Sequence, residues 1–109
     1  MKIAYRQASL DDVIRQFRYY LVVRDVPEVA IRFKEAIRKT AKVIREQPRA
    51  AAPQYHLRNP KLQNLRSWPV VGFEAIRFYF LVDDEAFRVI RILHGKRAVP
   101  KILEQEKLL

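Results

Sequence analysis

The feature that most constrains how this chain folds is a nearly continuous run of strand-forming residues from Leu65 to Arg97. Three parts of the run are rich in Ile, Val, Phe and Tyr and are separated by turn residues, which predicts three β-strands. The predicted strands are Leu65–Val70, Ala75–Val82 and Phe87–His94. Their connections are too short for a parallel crossover, so neighbouring strands should be antiparallel. The run therefore predicts a β-meander that other parts of the chain must cover.

Side chains alternate between the two faces of a strand, so the sequence also predicts what each face of the meander carries. In the middle strand one face carries Ile76, Phe78, Phe80 and Val82, and the other carries Arg77, Tyr79 and Leu81. In the last strand strict alternation sets Phe87, Val89 and Leu93 against Ile90 and Ile92. We expect helices on the first face. The second face is then open to a partner, or it is covered by loops or by a second copy of the chain.

The residues before the meander predict a strand and two helices. Lys2–Arg6 alternates as a short strand does, and apolar residues at helical spacing predict an amphipathic helix over Ser9–Arg24. Ser9 has the N-cap position of that helix, with Asp12 in the capping-box position. A second helix should start at Asp25 as the capping residue and stop at Gln47.

The second helix has a strongly basic outward face, which indicates a solvated surface unless partner binding depends strongly on salt. Its basic residues, with the one that follows the helix, are Arg32, Lys34, Arg38, Lys39, Lys42, Arg45 and Arg49. The two helices should form an antiparallel hairpin whose apolar side covers the sheet. The whole chain, 1–109, is thus predicted to be one α+β domain, in which an N-terminal strand and an α-helical hairpin pack on an antiparallel meander. A connecting loop is predicted over Pro48–Asn64, and Pro100 is predicted to start a short C-terminal helix.

Charge is the most informative property of the composition. The chain has 22 Lys and Arg against 12 Asp and Glu, a net charge of +10. This surplus favours a polyanionic partner, either a nucleic acid or an acidic protein, although an ordinary basic surface is the alternative. The chain has no cysteine, which excludes disulfides and zinc–thiolate sites. It also lacks a signal peptide and a run of ~20 apolar residues, so we expect a soluble, cytoplasmic protein that does not enter a membrane.

The sequence offers few groups for catalysis. Two histidines, no cysteine and two glycines rule out a Cys/His pair and a Gly-rich phosphate loop, and His56 lies alone in the predicted loop. Asp83-Asp84-Glu85 occupies a hairpin turn, where acidic residues usually form the turn rather than bind metal. We therefore expect no metal and no cofactor. Arginines on and beside the sheet can pair with phosphates or carboxylates, which favours binding over catalysis: Arg66, Arg77, Arg91 and Arg97.

Three segments carry a family resemblance. Leu65–Val70 reads LRSWPV and resembles an LRSxPV strand, Ile76–Tyr79 resembles an aromatic-rich YRIFY strand, and Val89–Arg97 resembles a closing strand and turn of the form V..V.HG.R. Together and in this order they resemble the ParE/RelE superfamily of bacterial type II toxins, the toxin halves of toxin–antitoxin pairs. The resemblance covers nearly the whole chain and implies the superfamily fold.

The resemblance also implies a choice between two activities. RelE-like members cut mRNA on the ribosome, and two arginines of their site are matched by Arg77 and Arg97. Their C-terminal Tyr would fall near Leu103, which cannot transfer a proton. The sequence is therefore closer to ParE-like members, which are not enzymes and poison DNA gyrase. The alternative is an mRNA endonuclease whose proton shuttle is His94 or Tyr79, and a toxin that has lost its activity is a third possibility.

Finally, the resemblance implies a partner. Antitoxins of this class carry an acidic C-terminal segment that folds as it wraps the toxin, which suits a basic chain. We expect it to cover the helical hairpin and the edge of the sheet. The residues predicted to bind the antitoxin or the target are Arg66, Arg77, Tyr79, Arg91, Arg97, Tyr19 and Tyr20.

Overall fold

The structure, a computed structural model, describes residues 1–51, 53 and 57–108. Strand β1 comes first and is followed by helix α1, a π-helix and helix α2; strands β2, β3 and β4 and helix α3 complete the fold. Their bounds are β1 Lys2–Tyr5, α1 Gln7–Arg18, π-helix Tyr19–Val23, α2 Pro27–Glu46, β2 Arg66–Val70, β3 Phe73–Val82, β4 Ala86–His94 and α3 Val99–Glu104. The predicted α+β fold and the existence of each predicted element are confirmed.

The four strands form one sheet in the order β1-β4-β3-β2. The β2–β3 and β3–β4 pairs are antiparallel, as the meander requires, whereas β1 pairs with β4 in parallel. The sheet is therefore mixed. A parallel pair needs a long crossover connection, and the residues between β1 and β4, which include the helical hairpin, supply it. Gly72 turns the chain between β2 and β3 with a φ of +79°, a conformation that glycine adopts without strain.

Both faces of the sheet are covered by the chain itself. On one face the helical hairpin packs on the sheet and buries Phe33, Ile37 and Ile44 against Phe78 and Phe80. On the other face α3 and the segment before β2 form a second core, which contains Leu57, Leu62, Leu65, Tyr79, Ile90, Leu93, Val99 and Leu103. The expectation of an open second face is wrong, and the alternative that loops cover it is closer to what is observed.

A β-bulge in β4 changes which residues face the helices. Tyr79 pairs with Arg91, but the next residue, Phe80, pairs with Val89, so Ile90 has no partner in β3. An extra residue reverses the alternation beyond it. Ile92 consequently lies in the core under the helices, while Leu93 lies in the second core with Ile90. The predicted faces of Ile92 and Leu93 are therefore wrong.

The helices begin at different residues from those predicted. Helix α1 starts at Gln7, two residues before Ser9, and the buried Ser9 hydroxyl donates to the carbonyl of Arg6 at 2.7 Å. Helix α2 starts at Pro27 with Val26 as its N-cap residue, because Asp25 adopts a φ of +53° after the π-helix. Helix α2 ends at Glu46, as the sequence predicts.

Asp12 is a buried ion-pair residue rather than part of a capping box. Its carboxylate accepts two hydrogen bonds of 2.7 Å from the Arg91 guanidinium and one of 2.9 Å from the Ile92 N–H. Arg91 also donates to Glu106, whose other carboxylate oxygen accepts from Arg6 at 2.8 Å. These bonds fix the residues after α3 to β4 and to the start of α1.

No helix in the described part of the chain is long and apolar enough to cross a membrane. The described residues of the predicted loop over Pro48–Asn64 include a short 3₁₀ helix, Pro60–Leu62. His56 falls outside the described residues, so its predicted lack of a chemical role is not addressed.

Candidate functional site beside the π-helix

The π-helix begins with two neighbouring tyrosines, Tyr19 and Tyr20. Its hydrogen bonds run to residues five or more positions back, as in the 3.0 Å bond from the Arg24 N–H to the Tyr19 carbonyl. Such turns are rare and occur often at functional sites. The Tyr20 ring lies 5.6 Å from the Phe33 ring and 5.7 Å from the Phe73 ring, whereas Tyr19 is 44% exposed. The pKa of the Tyr20 hydroxyl is raised, mainly because the side chain is partly buried and secondly because Tyr19 lies beside it.

Beside this turn lies an open groove of about 510 Å³, which we call the basic groove. Helix α1 and the π-helix form one wall, and the end of β4 with the turn that follows forms the other. It is lined by Arg15, Gln16, Tyr19, Tyr20, Arg24, Ile76, His94, Lys96 and Arg97. The groove joins two tyrosines from one end of the helical hairpin to the arginine of the turn after β4.

The charge of the groove is positive and mostly uncompensated. Arg15 donates to Asp12 at 2.8 Å, so part of its charge is neutralised. Arg24, Lys96 and Arg97 have no carboxylate partner among the residues that the structure describes. Carboxylates and phosphates are therefore attracted to the groove, and the tyrosine rings add surface for stacking or apolar contact.

His94 brings an imidazole to the same groove. Its Nδ1 accepts a hydrogen bond of 3.1 Å from the Lys96 N–H, so the neutral ring carries its proton on Nε2. The other proton shuttle considered from sequence, Tyr79, is 1% exposed and lies in the second core. A ligand on the surface cannot reach Tyr79 unless part of that core opens.

The predicted site residues divide into two groups. Tyr19, Tyr20 and Arg97 meet in the basic groove. The other predicted residues, Arg66, Arg77, Tyr79 and Arg91, lie outside the groove. Each of these arginines donates hydrogen bonds to other groups of the chain. Arg66 donates to the carbonyls of Arg49 and Ala51, Arg77 donates to the Ser67 hydroxyl at 3.0 and 3.1 Å, and Arg91 pairs with Asp12 and Glu106.

The sequence interpretation missed Arg15, Arg24 and Lys96 as members of the groove. The first two precede and follow the tyrosines on the hairpin, so a helical projection places Arg15 on the same side as Tyr19. Lys96 is next to the predicted Arg97. What the sequence could not reveal is that the turn after β4 faces this side of the hairpin, because that proximity depends on the register of the whole sheet.

The outer side of the same hairpin carries an exposed apolar strip that consists of Ile14, Tyr19, Val22 and Val23. Ile14 is 54%, Val22 is 68% and Val23 is 70% exposed. Together with Asp11, Arg15 and Arg18 these four residues line a shallow depression. Contiguous apolar side chains next to basic ones are typical of a surface that binds another protein.

The acidic turn before β4 has a structural role. The Asp83 carboxylate accepts from the N–H groups of Glu85 at 2.9 Å and Ala86 at 2.8 Å, and from Arg88 at 2.9 Å. These hydrogen bonds lower the pKa of Asp83, and the bond from the Ala86 N–H has the largest effect. Within the described ranges, no group of three His, Cys, Asp or Glu side chains could hold a metal ion.

Comparison with known proteins shows similarity to a family model and to solved structures. A family model described as the ParE toxin of the type II toxin–antitoxin system parDE matches residues 3–99. The solved structure of a chain from the chromosomal ParDE TA system of P. aeruginosa superposes with a TM-score of 0.64 at 18% sequence identity, covering 86% of this chain and 95% of that one. No curated protein sequence matches the chain significantly.

Proposed function

Because this chain belongs to the ParE toxin family of type II toxin–antitoxin systems, we propose that it is neutralised by a cognate antitoxin and that its target is DNA gyrase. The solved chain that it resembles comes from a ParDE TA system. In our proposal the toxin acts by binding, and its two partners use adjacent surfaces of the helical hairpin that share Arg15 and Tyr19.

The antitoxin contact is placed on the apolar strip. Val22 and Val23 are the most exposed large apolar side chains of the described residues, at 68% and 70%. A segment that folds on binding needs such anchors, because burial of apolar surface must offset its ordering entropy. Arg15 and Arg18 flank the strip, so an acidic segment with a few apolar side chains is complementary to this surface. This juxtaposition of exposed apolar and basic side chains carries the proposal.

The other predicted contacts are assigned differently. Tyr19 belongs to both the apolar strip and the basic groove, so it is placed under the antitoxin, and the partly exposed Arg77 remains a candidate contact near the edge strand β2. Arg66 and Arg91 support the fold through the carbonyls and carboxylates that they bind. Tyr79 would need the second core to open before it could touch a partner.

The target contact is placed on the basic groove. Three cations there, Arg24, Lys96 and Arg97, are without carboxylate partners in the described part of the chain. The position of the C-terminal Tyr in the RelE pattern is occupied by Leu103, which is fully buried in the second core. With no acid–base group at that position, binding of the groove to gyrase or to the DNA that gyrase holds is favoured over RNA cleavage.

Two assays on the purified chain test the target. One follows DNA supercoiling and the accumulation of cleavage complexes by gyrase, and the other follows mRNA cutting in a translating extract. We expect gyrase inhibition with intact mRNA, and restoration of gyrase activity when the cognate antitoxin is added. Cut mRNA with normal gyrase activity would overturn the gyrase proposal and favour the endonuclease.

A matched pair of variants tests the groove. Arg24→Gln/Lys96→Gln/Arg97→Gln removes its three uncompensated cations, and we expect it to weaken gyrase inhibition. The control, Arg32→Gln/Arg58→Gln/Lys101→Gln, removes two arginines and one lysine that are exposed outside the groove. Equal inhibition by both variants would mean that the groove is not the target contact.

A further inference from the structure

The outward side of α2 carries a row of cations that neither the basic groove nor the apolar strip includes. Lys34, Arg38, Lys42 and Arg45 follow at intervals of four, four and three residues, which places them on one face of the helix. All four are exposed, and none has a carboxylate partner among the described residues. At 1.5 Å per residue this α2 cationic row is roughly 16 Å long.

We propose that the α2 cationic row binds the phosphate backbone of duplex DNA without sequence preference. This is a binding site separate from those for the antitoxin and the target, and it does not depend on either. Lysine and arginine side chains contact DNA phosphates in a manner that carries no sequence information, and the counterions that they release supply the affinity. The row supplies four such contacts along one rigid helix.

An acidic protein segment is the less suitable occupant. Such a segment gains most of its affinity from a few buried apolar side chains, with the charges adding steering. Ile31 is the single exposed large apolar residue within α2, at 56%. The apolar strip on α1 and the π-helix offers several. The two faces of the hairpin therefore differ in chemistry, and the face formed by α2 suits a uniformly charged polymer.

The same residues favour duplex DNA over other nucleic acids. Single strands are bound through stacking on aromatic rings, and α2 has no exposed aromatic residue. Duplex RNA is recognised mostly by the shape of its A-form helix and by contacts to the 2′-hydroxyl groups and phosphates across its minor groove. Helix α2 exposes no hydroxyl or amide side chain for the 2′-hydroxyl contacts, since Thr40 is buried and its hydroxyl donates to the Ala36 carbonyl at 2.7 Å. The exposed face of α2 is otherwise charged or apolar.

The helix itself supplies a control for charge. Arg32 and Lys39 are also exposed on α2, but Glu35 and Glu46 lie between them and the cationic row around the helix axis. The double variant Arg38→Gln/Lys42→Gln removes one arginine and one lysine from the row. Arg32→Gln/Lys39→Gln removes the same residue types, and the same net charge, from beside it.

The test is fluorescence anisotropy of a labelled 20-base-pair duplex with the full chain, titrated at several NaCl concentrations. For Arg38→Gln/Lys42→Gln we expect affinity to fall roughly tenfold at low salt. The negative slope of log K against log salt should become less steep by about 2, since each phosphate contact contributes about 0.9 to its magnitude. For Arg32→Gln/Lys39→Gln we expect a loss below about threefold with the slope retained. Thermal unfolding followed by circular dichroism confirms that both variants are folded.

Several outcomes would overturn the proposal. Equal losses for the two variants would mean that net charge alone attracts DNA, and the absence of wild-type binding at low salt would remove the site. A single strand or an RNA duplex that binds as tightly would contradict the choice of ligand. An Asp- and Glu-rich peptide that binds more tightly than the duplex, and loses affinity with the row variant, would make this face a protein-binding surface.

Discussion

Arg91 and Asp12 lie 79 residues apart in the chain, and the guanidinium of Arg91 donates two 2.7 Å hydrogen bonds to a carboxylate that is fully buried. The hydrogen bonds to Asp12, ahead of those to Glu106, raise the pKa of Arg91. Asp12→Asn removes one charge of a buried pair, and we expect the free energy of unfolding in urea to fall by about 3 kcal/mol. The neighbouring Asp11 is exposed, so Asp11→Asn should change it by less than about 0.5 kcal/mol.

The contrast between these two variants isolates the ion pair. Both lie in the same turn of α1 and remove the same charge. A similar, small loss for both would mean that the Asp12–Arg91 pair contributes little to stability. The result also bears on partner mapping: a charge reversal at Arg91 would disturb the fold, so a sheet-side contact is better tested with Arg77→Glu alone.

The antitoxin proposal predicts a local loss of affinity. Val22→Asp places a charge in the apolar strip, and the antitoxin should bind at least roughly tenfold more weakly by isothermal titration calorimetry. Val71→Asp is the control, because Val71 is 48% exposed in the turn between β2 and β3, away from the strip. Unchanged affinity in Val22→Asp would contradict the proposed surface.

His94 distinguishes binding from catalysis. If the basic groove only binds, His94→Gln should keep gyrase inhibition within about threefold of wild type, since a general acid or base would contribute 100-fold or more. Glutamine retains a hydrogen-bonding side chain near the Lys96 N–H. Cutting of mRNA by the wild type in the translating extract that falls about 100-fold in His94→Gln, with unchanged thermal unfolding, would show that the imidazole takes part in chemistry.

The turn before β4 should have a measurable pH dependence. The hydrogen bonds to Asp83 lower its pKa in the folded state, so its contribution to stability is present above the ordinary pKa of 3.8 and is lost as pH falls through the lower, folded value. The melting temperature of wild type should therefore exceed that of Asp83→Asn at neutral pH, and the difference should shrink below about pH 4. A difference that stays constant down to pH 2 would contradict this assignment.

The sequence predicts element types well because apolar periodicity is a local signal. The three strands of the meander follow from it, whereas the end of α2 at Glu46 follows from Pro48, which disfavours helical geometry at Gln47. The start of α1 does not, since Ser9 and Asp12 have the spacing of a cap but are drawn into contacts with Arg6 and with β4. The exchange of Ile92 and Leu93 between faces depends on a bulge that no single residue reveals.

The candidate site was harder to predict than the fold for the same reason. The sequence predicts Tyr19, Tyr20 and Arg97 as binding residues, but their grouping with Arg24 depends on where the turn after β4 lies relative to the hairpin. Arg66 and Arg91 are ordinary binding candidates in sequence. In the folded chain Arg66 donates to the carbonyl of Arg49 and Arg91 pairs with Asp12, so both residues stabilise the fold.

The contact between Arg6 and Glu106 has a consequence for synthesis. The two residues are 100 positions apart, so a nascent chain cannot join them until Glu106 has left the ribosomal exit tunnel. Contacts between distant positions also form slowly because a large loop must close first. Helix α1 and strand β4 are both synthesised before Glu106, so the attachment of the residues after α3 to the start of α1 can form only after these two elements have been made. A chain released before Glu106 is added would lack that attachment.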